Sequence, residues 1–513
     1  MTESILPQVH NIVFLMLENR SLDNLLGWLY TPSPSWTPPR GPLNVYPEGS
    51  STTYDGLKPG MYSNPDPDTG NPITVVPVSN SNWQSGYAIP YRDPYEALKA
   101  YPSDPRAPDG WNGVMNQLFG NRNIITGLPA KSNGEPGMKG FLQDYQSWED
   151  GSWKGHDILW TYTPTQANII NSLALQYGVS DRWFCSAPTE TTPNRAYSLC
   201  GTSLGHESDA TTTYNHTTIF NAIGAKKSWG IYGFDLNYNG TGKTYTEGAF
   251  PFISKAQNGK TGSIQEFSDR AHAGKLPAFT YLEPNWTDWD TTGNDYHPNS
   301  IIRPGEQFLS TVYQAVRNGQ QWDHTLLIIT FDEHGGTYDH VPPPWGAQNP
   351  DGLNGDETGF KFDLFGARVP TILVSPFVPP STVFRAREED IKNHKYPFDH
   401  TSFIKTLLKW AGVYDSEATN FGRRMRAAQT FEGVLADHSV NDGSVNFIEQ
   451  QTMAPTAFAP PNLIHPAGEP EVLRPLLKGI PIRSARRILA TCKTLNEVKA
   501  AVESYRKDPN SRA

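Results

Sequence analysis

The chain has 513 residues, of which 37% are hydrophobic and 18% are charged, so it can bury a sizeable core and is not an intrinsically disordered protein. Its formal net charge of −10 argues against a nucleic-acid-binding protein, because phosphate backbones repel an acidic surface. The cysteines Cys185, Cys200 and Cys492 show no CxxC spacing and predict neither a disulfide framework nor a thiolate zinc site. Glycine and proline, 44 residues each, predict long structured loops.

The N-terminal segment has no basic region before its first apolar run, Ile12–Leu17. That run is too short for a signal peptide or a membrane span. We therefore expect no cleavable signal and no transmembrane segment. Such a protein would stay in the cytoplasm or leave by a signal-independent secretion route.

Short apolar runs that end in polar or glycine-rich turns predict β-strands, and helical patterns alternate with them. The predicted strands are Asn11–Leu17, Gly178–Phe184, Ser228–Tyr232, Ala278–Tyr281, Thr325–Phe331 and Val369–Ser375. The predicted helices are Thr165–Tyr177, Thr217–Ala225, Gly305–Asn318 and Asp399–Trp410. This alternation predicts an α/β fold with a doubly wound, mostly parallel sheet flanked by helices. In such sheets functional side chains gather beyond the carboxyl ends of the strands.

Two parts of the chain depart from the alternation. The segment 30–140 is dense in proline, glycine, serine and asparagine, and we expect an insertion that folds over one end of the sheet as a lid. The alternation also stops after residue 411, which predicts a main domain at 1–411 and a C-terminal extension at 412–513.

The extension has two parts of different composition. Residues 453–480 are proline-rich and predict an extended connector, whereas residues 481–513 return to a helical pattern with a net charge of +5. The basic helical segment suits an amphipathic cap on the acidic main domain, or a contact with a membrane surface or a partner.

Acidic and amide side chains follow the two clearest strands. Glu18 and Asn19 come directly after the first strand, and Asp332 and Glu333 come directly after Thr325–Phe331. Adjacent carboxylates at the end of a buried strand repel each other, and a divalent cation would relieve that repulsion. A structural ion-pair network is the alternative for the second pair.

The residues after the second acidic pair suit a tight turn with histidines. Gly335 and Gly336 permit a turn that brings both carboxylates inward. His334 and His340 add phosphate donors or ligands. Asp295 precedes His297 by two residues and Asp399 precedes His400 by one, which suits an oriented imidazole or an ordinary structural pair.

The segment TETTPNRAY suits the start of a helix. Pro193 fits the first helical position and Thr192 the N-cap, which leaves Thr191 at a helix end that attracts anions. A hydroxyl there is a candidate nucleophile if a metal lowers its pKa. An ordinary capping threonine is the alternative.

Several motifs together resemble one family. They are HNIVFLMLENRSLDNLLGW, MKGFLQDY, APTETTPNRAYSLCGTS, LPAFTYLEP, DYHP, ITFDEHGGTYDHVPPP, FGARVPTILVSPFV and DHTSFIKTLLKW, in order over residues 9–411. The chain resembles the bacterial and plant phosphoesterase family, which includes non-specific phospholipase C, mycobacterial phospholipases C and an acid phosphatase. The resemblance implies an alkaline-phosphatase-like core with a catalytic domain at 1–411, and hydrolysis of phosphate esters at a metal-assisted hydroxyl.

The resemblance also implies roles for individual residues. Thr191 would be the nucleophile, and Asn19 would assist catalysis as well as bind metal. The implied metal ligands are Glu18, Asn19, Thr191, Asp332 and Glu333. His297 and His334 would bind phosphate or protonate the leaving group, and Asn194 would assist in binding substrate. Oxygen ligation favours Ca²⁺, Mg²⁺ or Mn²⁺, while the nearby histidines leave Zn²⁺ or Fe open.

One position departs from the family pattern. The family commonly has a histidine shortly after an Asp-Pro pair, but here Asp93-Pro94 is followed by Tyr95-Glu96. The leaving-group acid and the substrate preference therefore stay open.

The expected reaction is a two-step phosphoryl transfer through a phosphothreonine. A phospholipase C that cleaves the glycerol-side phosphodiester of phosphatidylcholine is our first expectation, with the phospholipid and a membrane surface as partners. Trp286 and Trp289 are candidates for a cation–π site for choline, although buried tryptophans are the alternative. A phosphomonoesterase is the second expectation, and a non-catalytic phosphate- or lipid-binding protein of the same fold is the third.

Overall fold

The computed structural model describes residues 4–84, 113–120, 134–146, 155–450 and 499–504, apart from positions 34, 40, 210–212, 287–292, 299, 357, 388–395, 444 and 501. Tyr95, Glu96, Trp289, the predicted connector 453–480 and most of the basic segment 481–513 lie outside these residues. Within them, no helix combines the length and the apolar character needed to cross a bilayer.

The strands are numbered here in chain order. They are β1 Asn11–Leu17, β2 Asn44–Tyr46, β3 Ser63–Pro65, β4 Pro72–Thr74, β5 Val76–Pro77, β6 Trp160–Thr161, β7 Gly178–Ser180, β8 Trp229–Gly233, β9 Gly259–Ser263, β10 Phe279–Leu282, β11 Thr325–Phe331, β12 Thr371–Val374 and β13 Thr382–Phe384.

The α-helices are named by their bounds. They are Leu22–Leu26, Asn80–Gln84, Val114–Phe119, Phe141–Gln146, Asn168–Gln176, Thr191–Cys200, Ile219–Ile223, Tyr245–Ala249, Ile264–His272, Arg303–Arg317, His400–Trp410, Tyr414–Glu417 and Gly422–Ala427. The 3₁₀ helices are Asp157–Leu159, Tyr238–Gly240, Pro251–Lys255, Trp322–His324, Ala418–Phe421 and Glu432–Val434.

Nine of the described strands form one sheet in the order β2-β13-β7-β12-β11-β1-β10-β8-β9. All neighbours are parallel except β12, which is antiparallel to both β11 and β7. The helix Arg303–Arg317 packs on Asn168–Gln176 and Ile264–His272, and the helix His400–Trp410 packs on Thr191–Cys200. The predicted α/β fold with a mostly parallel sheet is therefore confirmed.

The central strands follow from their composition. β1 and β11 have the predicted bounds, and every one of their residues is buried, because continuous apolar runs suit strands covered on both faces. The predicted strand Gly178–Phe184 is shorter in the structure and ends at Ser180. The strand β9 was missed, since its sequence GKTGS offers no apolar run.

The direction of β12 is the main departure from a parallel sheet. A parallel neighbour needs a crossover connection that returns the chain to the starting edge. The chain leaves β11 at Phe331 and enters β12 at Thr371, and Thr330 pairs with Thr371, so both ends of this loop lie at the same edge. The loop therefore delivers β12 antiparallel.

The insertion packs against the main sheet and, with the helix Phe141–Gln146 that follows it, contributes to a second, smaller apolar cluster. The strand β2 pairs with β13, so part of the insertion extends the sheet. The helices Val114–Phe119 and Phe141–Gln146 contact each other. Their apolar side chains share a cluster with Tyr197 and Tyr338, which belong to the segments that follow β7 and β11. This packing brings the insertion to the edge where those strands end.

Residues 412–450 pack on the main domain. Phe421, Met425 and Phe431 belong to the same apolar core as the sheet. The buried Arg424 donates from Nε to Asp399 Oδ2 at 3.1 Å, and Asp399 is the N-cap of the helix His400–Trp410.

Candidate functional site

The carboxyl ends of the parallel central strands carry the predicted site residues. Glu18 follows β1 and Asp332 follows β11, and these strands are neighbours in register. The Asn19 backbone N–H donates to Asp332 Oδ1 at 2.9 Å. This hydrogen bond draws the two strand ends together, and Asn19 adopts φ of 58°, a left-handed conformation that asparagine tolerates.

Thr191 lies at the centre of this group. It is the first residue of the helix Thr191–Cys200, and its Oγ1 donates to Glu18 Oε2 at 3.0 Å and contacts Asn19 Oδ1 at 3.2 Å. The four residues Glu18, Asn19, Thr191 and Asp332 are buried. We call them the Thr191 cluster.

The start of this helix differs from the prediction. Thr192 was expected as the N-cap and Pro193 as the first helical residue, but the N-cap is Glu190 and the helix begins at Thr191. The Thr192 N–H donates to Asp209 Oδ1 at 2.7 Å, so a distant carboxylate satisfies a free helical donor. Pro193 still lies in the first turn, where its missing N–H costs nothing.

Arg195 is one turn along the same helix and is completely buried beside the cluster. Its Nε donates to Glu18 Oε1 at 3.1 Å and lies 3.6 Å from Asp332 Oδ2, and its Nη2 donates to the Met16 carbonyl at 3.2 Å. Arg195 therefore holds Glu18 so that Oε1 is paired and Oε2 faces Thr191.

One guanidinium does not balance the carboxylates of the cluster. Burial and the neighbouring Asp332 raise the pKa of Glu18 well above its usual value, although Arg195 lowers it. Burial also raises the pKa of Asp332, against the lowering effect of Arg195. No hydrogen-bond donor in the described part of the chain reaches the buried Asp332 Oδ2. Oxygen donors with surplus negative charge around an unsatisfied carboxylate oxygen fit a divalent cation.

Glu333 and His334 continue the turn after Asp332. Glu333 Oε2 accepts from the Gly335 backbone N–H at 2.6 Å and lies 3.5 Å from His334 Nδ1. His334 is buried, and burial lowers its pKa to about 3. Its Nε2 contacts Gln117 Oε1 at 2.8 Å.

The predicted glycine turn is present. Gly335 and Gly336 have φ of 60° and 67°, where side chains are strained. A Cβ on Gly335 would lie 2.1 Å from the Asn19 carbonyl oxygen. The turn therefore needs glycine both for its conformation and for its close approach to Asn19.

The histidines at 297 and 400 have different surroundings. His297 is half-buried, and its electrostatic interaction with Glu18 lowers the pKa of that carboxyl. Its backbone N–H donates to Asp295 Oδ1 at 3.0 Å. His400 is fully buried and its Nε2 donates to the Asp332 carbonyl at 2.6 Å, which holds the end of β11 in place.

The Asn194 side chain forms hydrogen bonds to the backbone of the loop that precedes the helix Thr191–Cys200. Its Oδ1 accepts from the Ala187 N–H at 3.1 Å, and its Nδ2 donates to the carbonyls of Ala187, Thr189 and Glu190 at 3.1, 3.0 and 3.1 Å. These contacts shape the segment that leads into Thr191.

Of the two predicted tryptophans, Trp286 is described and is half-buried. The Arg195 guanidinium lies 4.9 Å from the centre of its ring, and Tyr245 packs on it with a ring distance of 5.1 Å. Trp286 therefore covers the charged core of the site.

A second group of acidic residues lies farther along the same two segments. Arg368 Nη2 donates to Asp23 Oδ1 at 2.9 Å, and Arg368 Nε donates to Asp339 Oδ1 at 3.0 Å. His340 Nδ1 contacts Asp23 Oδ2 at 2.6 Å, and its Nε2 lies 3.3 Å from Asp55 Oδ1. We call these five residues the Arg368 cluster.

The Arg368 cluster has metal-ligand spacing, since ligand atoms of Asp23, Asp339 and His340 lie within 4.8 Å of one another. However, Arg368 already occupies the space between the two aspartates. Burial lowers the pKa of His340, but Asp23 and Asp55 raise it to about 9. The cluster thus supplies its own cations.

Sequence reasoning assigned no role to Arg195 or Gln117. Arg195 lies in the segment TETTPNRAY, one helical turn after Thr191, so its proximity to the site could have been expected from helical spacing. Gln117 lies in the insertion, 217 residues from its partner His334, and no local pattern marks it.

The α/β sheet thus carries a hydroxyl, carboxylates and an amide at its carboxyl edge, and the sequence comparison identifies the class of protein. Residues 9–414 match the model of the Phosphoesterase family. The chain belongs to that family and is a phosphoric ester hydrolase.

Its relatives include phospholipases C from a plant and a bacterium. The chain is 31% identical over 434 residues to non-specific phospholipase C1 of Arabidopsis thaliana, covering 83% of this chain and 70% of that protein. It is 28% identical over 370 residues to non-hemolytic phospholipase C of Burkholderia pseudomallei, covering 59% of this chain and 50% of that protein. A Vibrio parahaemolyticus structure described as a protein in the alkaline phosphatase superfamily aligns with a TM-score of 0.29 and 14% identity, covering 49% of this chain and 62% of that one.

Proposed function

We propose that this chain is a phospholipase C that hydrolyses the glycerol-side phosphodiester of phospholipids such as phosphatidylcholine, with Thr191 as the nucleophile. The observation that carries this proposal is the position of Thr191 Oγ1, at a helix N-terminus and 3.0 Å from Glu18 Oε2. The relatives named phospholipase C support a lipid diester as the substrate.

A divalent cation would be held by Glu18, Asn19, Thr191 and Asp332, with Glu333 as a further carboxylate. Because these ligands are oxygens, Ca²⁺, Mg²⁺ or Mn²⁺ are favoured over Zn²⁺ or Fe. When bound, the cation would lower the pKa of the hydroxyl and offset charge on the phosphoryl oxygens.

In the first step Thr191 Oγ1 forms a bond to phosphorus while its proton passes to Glu18 Oε2, which already accepts its hydrogen bond. The bond from phosphorus to the glycerol oxygen breaks, and His297 protonates the departing alkoxide. The positive end of the helix Thr191–Cys200 dipole favours the phosphoryl charge at Thr191, although the Thr192 N–H is already bonded to Asp209. Diacylglycerol leaves, and the phosphoryl headgroup stays on Thr191.

In the second step water attacks phosphorus and gives a proton to His297. The bond from phosphorus to Thr191 Oγ1 breaks, and the oxygen recovers its proton from Glu18. Arg195 keeps Glu18 in the orientation that both transfers require. Trp286 and Trp289 are proposed to contact the headgroup, and Asn194 to hold the loop that leads to Thr191.

The test compares phosphatidylcholine vesicles with p-nitrophenyl phosphate, each with chelator or with added Mg²⁺, Mn²⁺ or Ca²⁺. We expect diacylglycerol release that chelator abolishes and divalent metal restores. Turnover of the monoester alone would instead identify an acid phosphatase. No turnover of either substrate by metal-replete protein would favour a non-catalytic phosphate- or lipid-binding protein.

A further inference from the structure

A chain of buried hydrogen bonds connects the insertion to His334. Asp144 Oδ1 accepts from the Gly113 backbone N–H at 2.6 Å, and Asp144 Oδ2 accepts from Gln117 Nε2 at 2.8 Å. Gln117 Oε1 then lies 2.8 Å from His334 Nε2. Gln117, Asp144 and His334 are 1%, 0% and 1% exposed, so bulk water does not compete for these contacts.

The chemistry of the three groups assigns the hydrogens. A carboxylate oxygen is an acceptor, so the Gln117 atom that faces Asp144 is the NH₂ group, and its carbonyl oxygen faces the imidazole. A carbonyl oxygen can only accept. His334 Nε2 must therefore carry a hydrogen, and in the neutral ring Nδ1 then carries a lone pair.

The lone pair lies on the side of the acidic turn. His334 Nδ1 is 3.5 Å from Glu333 Oε2, which is longer than an ordinary hydrogen bond, and among the described residues Nδ1 has no hydrogen-bond partner. Glu333 Oε2 is itself an acceptor, since it takes the Gly335 N–H. Because His334 Nδ1 and Glu333 Oε2 are both electron-pair donors in a buried site, they can bind the same cation.

We propose that Gln117 and Asp144 are positioning residues that hold His334 as the Nε2–H tautomer and turn its Nδ1 lone pair toward the cation at the Asp332–Glu333 turn. The inference rests on the proposed function for the presence of that cation. It makes His334 an electron-pair donor, and it leaves the protonation of the leaving group to His297. Through this contact the insertion completes the metal site.

A purely structural role for Gln117 would not require its hydrogen bond to His334. Its Nε2 bond to Asp144 already links the helices Val114–Phe119 and Phe141–Gln146. The Oε1 bond to His334 adds nothing to that link, but it determines the orientation of the ring. Partners of this kind usually change metal affinity or activity by about 10–100-fold when removed.

The first measurement is ¹⁵N NMR of metal-free protein labelled at its 13 histidines, with the His334 signals assigned from their loss in His334→Gln. We expect a protonated Nε2 and an unprotonated Nδ1 in the wild-type protein. A protonated Nδ1 would overturn the proposal. This result needs no activity and no variant other than the one used for assignment.

The second measurement is calorimetric titration with Mn²⁺. Gln117→Leu removes the acceptor, and Asp144→Asn removes the group that orients the amide. We expect Mn²⁺ affinity to fall by about 10–100-fold in Gln117→Leu and by less in Asp144→Asn, with a change in the tautomer signals of His334 in both.

Gln166→Leu is the matched control. Gln166 is also a fully buried glutamine that ties the insertion to the core, through Val78 O at 3.1 Å and Thr163 N at 3.0 Å. We expect its Mn²⁺ affinity and His334 signals to match the wild type. Equal losses in Gln117→Leu and Gln166→Leu, or none in Gln117→Leu, would overturn the proposal.

The outcomes separate this proposal from the proposed function. A protein with the Nε2–H tautomer and the expected Mn²⁺ responses, but with no hydrolysis of phosphatidylcholine, would contradict the phospholipase activity alone. If Gln117→Leu fails to fold, the proposal is tested by the wild-type NMR spectrum and by the Mn²⁺ affinity and His334 signals of Asp144→Asn.

Discussion

Two buried acidic clusters draw on the same two segments of the chain, yet their electrostatics differ. Glu18 and Asp332 belong to the Thr191 cluster, and Asp23 and Asp339 lie farther along the same segments in the Arg368 cluster. Between them, the Ser21 hydroxyl donates to the Tyr338 carbonyl at 2.6 Å, so the two segments run together.

The difference lies in how the negative charge is compensated. In the Thr191 cluster Arg195 is the one cationic side chain bonded to the carboxylates among the described residues, and the pKa values of Glu18 and Asp332 are raised, most by burial. In the Arg368 cluster burial raises the pKa of Asp339 to about 6, although Arg368 lowers it. The pKa of Asp55 is instead lowered to well below its usual range, because His340, Arg368 and Arg182 outweigh the effect of burial.

The comparison separates two uses of buried acids. A cluster that supplies its own cations forms a permanent bond between segments, and removing one partner leaves a buried charge unpaired. A cluster with surplus negative charge is stabilised when it binds a cation from solution. We therefore expect changes in the Arg368 cluster to reduce stability and changes in the Thr191 cluster to reduce activity and metal affinity.

The largest expected effect is on turnover. Thr191→Ala removes the proposed nucleophile, and kcat should fall by at least about 10³-fold, as in enzymes that lose a catalytic hydroxyl. Thr192→Ala is the control, since its hydroxyl contacts Tyr245 at 2.8 Å and not Glu18. The turnover of Thr192→Ala should stay close to that of the wild type. Turnover that survives in Thr191→Ala would remove Thr191 from the mechanism.

A matched pair of substitutions tests the comparison directly. Asp339→Asn leaves Arg368 with one fewer buried anion, and we expect the free energy of unfolding to fall by about 3 kcal/mol. Asp332→Asn relieves repulsion with Glu18, so the melting temperature in chelator should be kept or raised while Mn²⁺ affinity falls. Thermal unfolding and Mn²⁺ titration of both variants measure this. Similar losses of stability in both variants would show that the two clusters do not differ in how their negative charge is compensated.

The smallest effect is a pH dependence from His340. Its pKa of about 9 lies above the ordinary value of 6.5, so its stabilising contribution is fully present below pH 6.5 and is lost as pH rises through 9. The contribution is at most about 3 kcal/mol. The groups that face the imidazole are Asp23, Asp55, Arg368 and the Tyr62 ring.

The measurement is the difference in melting temperature between wild type and His340→Gln from pH 6 to pH 9.5. This difference should be largest at the acid end and shrink toward pH 9.5. A difference that is constant with pH would mean that His340 is neutral in the folded protein and that the cluster holds one cation fewer.

Local pattern was enough to predict the two central strands and the polar residues that follow them. β1 and β11 are continuous apolar runs, and their bounds in the structure are those predicted. Because parallel strands bring their carboxyl ends to one edge, Glu18 and Asp332 could be expected to meet. The contact of Thr191 with Glu18 spans 173 residues and was expected only from the resemblance to the family.

Other features depended on tertiary contacts that no local pattern encodes. The sequence does not show that β12 runs antiparallel, because direction follows from where its connecting loop begins and ends. The sequence also predicts His334 and His340, which lie six residues apart in one motif, as similar candidates. The structure gives the first a glutamine amide and the second two carboxylates.

By itself, the sequence determined the fold class, the family and which residue types stand at the carboxyl edge, because apolar runs and motif spacing are local properties. Only the tertiary structure decided which acids are already paired. That depends on where Arg195 and Arg368 lie, and a buried charge is stabilised by whichever partner the folded chain brings within a few ångströms.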